Sequence, residues 1–138
     1  MAVLKNKRDE SAILFLENAY ELQVCMIKQA VKFPKRYTFF ITQNLVALAT
    51  SCHENAKSAN TIYPTNQHEL QIRIDYLNKA MCDLQNLISQ LQIAKEVFSI
   101  DSKIIVTLMK FISDEFRLLK GVRKSDRERY KDLITAPQ

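Results

Sequence analysis

Residues 66–92 read NQHELQIRIDYLNKAMCDLQNLISQLQ. Leu70, Ile74, Leu77, Met81, Leu84, Ile88 and Leu91 follow one another at alternating steps of four and three. That period lays one apolar seam along an α-helix; a strand, whose faces alternate every second residue, would scatter it over both sides. Asn66 is placed to cap the helix, and Glu69, three residues on, can reach back. A seam this long has to be covered by other helices.

The flanking sequence supplies three. From about Glu10 to Lys32, Ile13, Leu16, Tyr20, Val24, Ile27 and Val31 recur at helical spacing, with Asp9 and Glu10 at the positive end. Pro34 stops that helix, because proline disfavours a helical residue before it. Thr38 is a candidate N-cap for the next, whose stripe is Ile41, Leu45, Leu48, Cys52, Ala56 and Ala59. Pro64 closes it. After the corner FSIDS, Asp101 or Ser102 can cap a last helix lined by Ile105, Leu108, Ile112, Phe116 and Leu119, with Gly121 as its terminator. Connections this short make neighbours antiparallel. The expected fold is all-α: an up-down-up-down antiparallel four-helix bundle over residues 10–121, with a basic arm (1–9) before it and a basic C-terminal tail (122–138) after it.

The totals agree. The chain has 138 residues, 47% of them hydrophobic, with one glycine and three prolines. So few turn-formers exclude a β-sandwich or barrel. Cys25, Cys52 and Cys82 are an odd number with no C-x-x-C, which suits reduced thiols used as small core residues in a cytoplasmic protein. The N-terminus has no apolar run of signal-peptide length, and nowhere do eighteen apolar residues run together, so no membrane partner is expected.

The chemistry of catalysis is missing. His53 follows Cys52 directly, and neighbours on a helix point about 100° apart, so they form no dyad by themselves. Neither His53 nor His68 has a ligand-type partner one turn away, and a closed metal site needs three or four ligands. One glycine cannot build a phosphate loop. The expectation is a protein that is not an enzyme, with no metal, no cofactor and no small-molecule substrate.

Charge is the remaining signal. Residues 117–131 hold seven Lys/Arg against two Asp/Glu, while the rest of the chain has thirteen of each, so all of the formal net +5 lies in this block. Its cations are Arg117, Lys120, Arg123, Lys124, Arg127, Arg129 and Lys131, with Tyr130 among them. A second group, Lys28, Lys32, Lys35 and Arg36, surrounds the corner KFPKRYTFF (32–40). In the expected topology the two groups fall at opposite ends of the bundle, and Phe33, Tyr37, Phe39 and Phe40 are placed to plug the corner end. Two readings stand. Cations near a helix C-terminus complement its dipole, and cations in this density also bind phosphates with release of counterions. The third helix raises a separate point. Ile72, Tyr76, Ala80 and Leu87 form a second apolar line, and its polar residues are mostly amides, which fits either a central, well-buried bundle helix or a homo-oligomer interface.

FPKRY (33–37), the third-helix end LQIAKEVFSID and the fourth-helix end LLKGVRKSDRERY resemble the small bacterial four-helix-bundle family related to the accessory variability determinant of diversity-generating retroelements. That family also includes proteins encoded in intervening sequences of 23S rRNA genes. The resemblance covers about residues 8–131. It implies a bundle that assembles as a homopentamer, docks a reverse transcriptase and binds RNA or DNA through basic surfaces. The leading expectation is therefore a non-enzymatic nucleic-acid-binding accessory protein of a retroelement or other mobile element. The alternative is a protein–protein interaction scaffold whose cations read an acidic partner.

Overall fold

The computed structural model describes the backbone of residues 2–135 and the side chains of 13–134. All regular structure among them is helical: α1 (Ala2–Ala30), α2 (Gln43–Asn60), α3 (Gln67–Val97), α4 (Ser102–Arg129) and a short α5 (Lys131–Thr135). α1 packs on α2 and α4, and α3 packs on the same two helices, so the four long helices enclose one core. α5 folds back against α3 and α4.

The caps of α3 and α4 form as their chemistry suggests. The Asn66 side chain accepts the Glu69 N–H at 2.9 Å, and the Glu69 carboxylate reaches back to the Thr65 N–H at 2.8 Å. Asp101 accepts the Lys103 N–H at 2.9 Å. The first corner differs. Lys35–Tyr37 form a 3₁₀ turn and Thr38–Thr42 a π-helical turn, which runs straight into α2. Thr38 is itself helical, and neither the π-helical turn nor α2 opens on a side-chain cap bond, so the expected Thr38 cap does not form. Phe33 and Tyr37 do close this end, packing on Phe98 with ring centroids 5.2 and 5.4 Å away. Phe39 and Phe40 stay exposed.

The α2 and α3 seams are buried much as their spacing implies, with Leu48 and Ile88 half-buried. α1 is rotated from expectation. Its core residues are Phe15, Ala19, Leu22, Met26 and Ala30, while Ile13, Tyr20, Ile27 and Val31 face solvent. The physical reason is close packing. Ala19 offers a small surface to a neighbour, α2 brings Ala49, Cys52 and Ala56 to the same core, and Phe15, Leu22 and Met26 fill the remaining volume.

The chain's ends also depart from expectation. α1 starts at Ala2, so the segment expected as an N-terminal arm belongs to the helix. α4 runs through Gly121, whose φ is not positive, and ends eight residues later at Arg129. A mid-helix glycine costs about 1 kcal/mol, which anchoring further along the helix outweighs. The expected basic tail is thus mostly ordered helix, and residues 136–138 lie outside the described part of the chain.

Candidate functional site

The anchor that carries α4 past Gly121 is a buried ion pair. Arg73 donates from Nε to Asp126 Oδ2 at 2.6 Å and from Nη2 to Oδ1 at 3.3 Å. Its Nη1 donates to the carbonyls of Ala59 and Ile62, at 2.9 and 3.1 Å. One guanidinium therefore joins the start of α3, the last turns of α4 and the C-terminal carbonyls of α2. Both partners are almost fully buried, so each needs the other to avoid a stranded charge.

Beyond that anchor, α4 presents its cations. Arg117, Lys120, Lys124 and Arg127 follow at steps of three, four and three, all exposed, on the side away from Leu119 and Asp126. With a rise of 1.5 Å per residue the line spans about 15 Å. Arg117 also meets Asp114 at 3.5 Å, an exposed pair that binds it weakly. The Lys120 ammonium sits 4.7 Å over the Phe116 ring. Beside the line, an open cleft of about 490 Å³ between α3 and α4 has Ile88, Met109, Ile112 and Phe116 as its apolar lining, with Arg117 and Lys120 at its rim.

Other members of the basic set are placed differently. Arg123 is half-buried and donates to Asn78 Oδ1 at 2.8 Å, which makes it part of the α3–α4 contact. Arg129 and Lys131 are exposed at the α4–α5 junction. Lys28, Lys32, Lys35 and Arg36 are all exposed around the first corner, with the Arg36 guanidinium 5.2 Å over Tyr37. That corner packs on Phe98 and the Asp126 anchor on Arg73, so the two basic groups are separated by about 37 Å along α3. They do not form one site.

The line assigned to oligomerisation on α3 needs correction. Ala80 and Leu87 are fully buried in the chain's own core, and only Ile72 and Tyr76 keep partial exposure. α2 and α4 pack on this helix from different directions, which is why it is apolar on two sides. The cysteines also divide: Cys52 is core, Cys25 half-buried and Cys82 exposed. Burial pushes the Cys52 thiol far above its ordinary range, with Glu115 and Asp83 adding to the effect.

Glu115 is a second buried polar group, facing α1. Asn18 Nδ2 donates to Glu115 Oε1 at 3.1 Å and to the Phe111 carbonyl at 2.9 Å. Burial pushes the Glu115 carboxyl up to about 8, against a lesser downward pull from the Asn18 bond. At neutral pH it is mainly a protonated, uncharged core residue. His53 is held by Gln23, whose Oε1 lies 2.8 Å from Nδ1, and burial followed by Lys57 lowers its pKa.

Among the described residues no group of three or more His, Cys, Asp or Glu side chains is placed to hold a metal ion. No described helix is long and apolar enough to cross a membrane. No protein-family model, curated protein or solved structure matches this chain.

Proposed function

We propose that this chain is a non-enzymatic nucleic-acid-binding accessory protein, an up-down-up-down four-helix bundle that holds a polyanion along the outer face of α4. The observation carrying this reading is the line Arg117, Lys120, Lys124 and Arg127 on an anchored helix, four exposed cations in eleven residues bordered by two acids, Asp114 at its start and Glu128 beside its end. A helix that presents its cations at fixed positions loses less side-chain and backbone entropy on binding than a loose tail. The antiparallel order is supported by Phe98 meeting Phe33 and Tyr37 at one end and Arg73 meeting Asp126 at the other. The resemblance in the FPKRY corner supports a mobile-element setting with a reverse transcriptase as protein partner.

The test is a titration of labelled single-stranded RNA against the protein at rising salt. Four released counterions give a log–log slope of about −3. Reversing Lys124 and Arg127 to glutamate should weaken binding of all sequences alike and flatten that slope. Absence of binding at low salt, or binding with no salt slope, refutes the proposal.

A further inference from the structure

The outer face of α1 is unusual for a surface. Ile13 (49% exposed), Tyr20 (55%) and Ile27 (41%) are spaced by seven, and Val24 and Val31 (73%) extend the same stripe. This is a heptad seam of the kind that packs against another helix; all of it but the half-buried Val24 is exposed, with the Tyr20 ring edge-on to His53 of α2 at 5.9 Å. The inward seam of α1 is already satisfied, so the stripe is a second, separate packing surface.

The charges beside the stripe say what fits it. Glu17, Glu21 and Lys28 lie along one flank of α1, the acids preceding the cation, and Lys32 follows in the turn just past the helix end. Two helices related by a two-fold axis and running antiparallel bring the same flank of each together. The acidic stretch at Glu17 and Glu21 of each copy then faces the partner's basic stretch at Lys28 and Lys32. A parallel pair lacks this match, because it sets that flank against the other one. A register centred near Leu22 puts Ile13 opposite Val31 and Tyr20 opposite Val24. It also brings Glu17 within one residue of level with Lys28, and two-fold symmetry makes that contact twice.

We infer that the exposed α1 stripe is the docking surface for a second copy of this chain, forming an antiparallel two-fold dimer through α1 with paired Glu17–Lys28 contacts. The inference is independent of nucleic-acid binding, since α4 plays no part in it. It also differs from the pentamer implied by the family resemblance.

The experiment is sedimentation equilibrium of the full chain across micromolar concentrations. The expected result is a reversible monomer–dimer equilibrium with a dimer of about twice the 16.0 kDa chain mass. Ile13→Glu with Ile27→Glu should give a monomer with unchanged helix content and thermal midpoint, both positions being exposed. Glu17→Lys and Lys28→Glu should each weaken the dimer about tenfold, and the two together should restore it to within about threefold of the parent. A monomer at every concentration, a pentamer, a dimer indifferent to Ile13→Glu/Ile27→Glu, or charge reversals with no mutual rescue would each overturn the inference.

Discussion

Replacing Glu115 by glutamine should remove the pH dependence that this group gives the protein, so that the variant gains about 3–4 kcal/mol of stability on the parent between pH 5 and pH 8. The magnitude follows from the site. In the unfolded chain this carboxyl releases its proton near the ordinary value of 4.5; in the folded protein burial holds the proton until about 8. Between those values the folded state binds a proton that the unfolded state does not. Stability from this group is therefore greatest below pH 4.5 and is lost as pH rises toward 8, a total of about 5 kcal/mol at 1.36 kcal/mol per pK unit.

Glutamine isolates the effect. It keeps the acceptor for Asn18 Nδ2, and it stays neutral throughout. Oε2 of Glu115 has no hydrogen-bond partner, so the amide nitrogen that replaces it is unpaired too, a cost that does not change with pH and cancels in the comparison of pH profiles. His53, whose pKa is lowered, favours unfolding as pH falls; it is common to both proteins and cancels in the comparison. The assay is urea unfolding of both proteins from pH 5 to pH 8. The parent should lose about 3–4 kcal/mol more than the variant over that range, a large share of a domain's total stability. Parallel pH profiles for the two would refute the claim that Glu115 is buried and protonated.

Three further outcomes are expected. Gly121→Ala should raise stability by about 0.5–1 kcal/mol, read from the urea midpoint, because the position is helical and an added Cβ meets no atom within 4 Å. Asp126→Ala should cost about 3–5 kcal/mol by stranding the Arg73 charge, and amide exchange should accelerate first in the α4 turns after Gly121. Phe39→Ser with Phe40→Ser should leave thermal stability nearly unchanged, whereas Phe33→Ala should lower it by about 3 kcal/mol or more, since only Phe33 is core.

How much of this was legible in the sequence depended on whether a position was apolar or polar. The seam of α3 could be read directly, because it is apolar at nearly every core position, and so could the caps at Asn66 and Asp101. α1 was harder. It carries two apolar lines, Ile13–Tyr20–Ile27 and Phe15–Leu22–Met26, and periodicity shows that a face is apolar without showing what it faces. The choice is made by fit, in a core that Ala19 shares with the small residues of α2, and fit is a property of the packed structure.

The far end of α4 was misread for the opposite reason. Its core line continues from Leu108 through Ile112, Glu115 and Leu119 to Asp126, but two of those five residues are carboxylic acids. To a search for apolar periodicity an acid at a core position is a break, so Phe116 took the place of Glu115, and Gly121 looked like the end. Only the partners supplied by distant segments, Asn18 for Glu115 and Arg73 for Asp126, make those positions habitable. The seven-residue step from Leu119 to Asp126 was nevertheless present in the sequence. Extending the period through a charged position, and then seeking one buried counter-charge, recovers both the true end of α4 and the reason Lys124 and Arg127 stand on a rigid face.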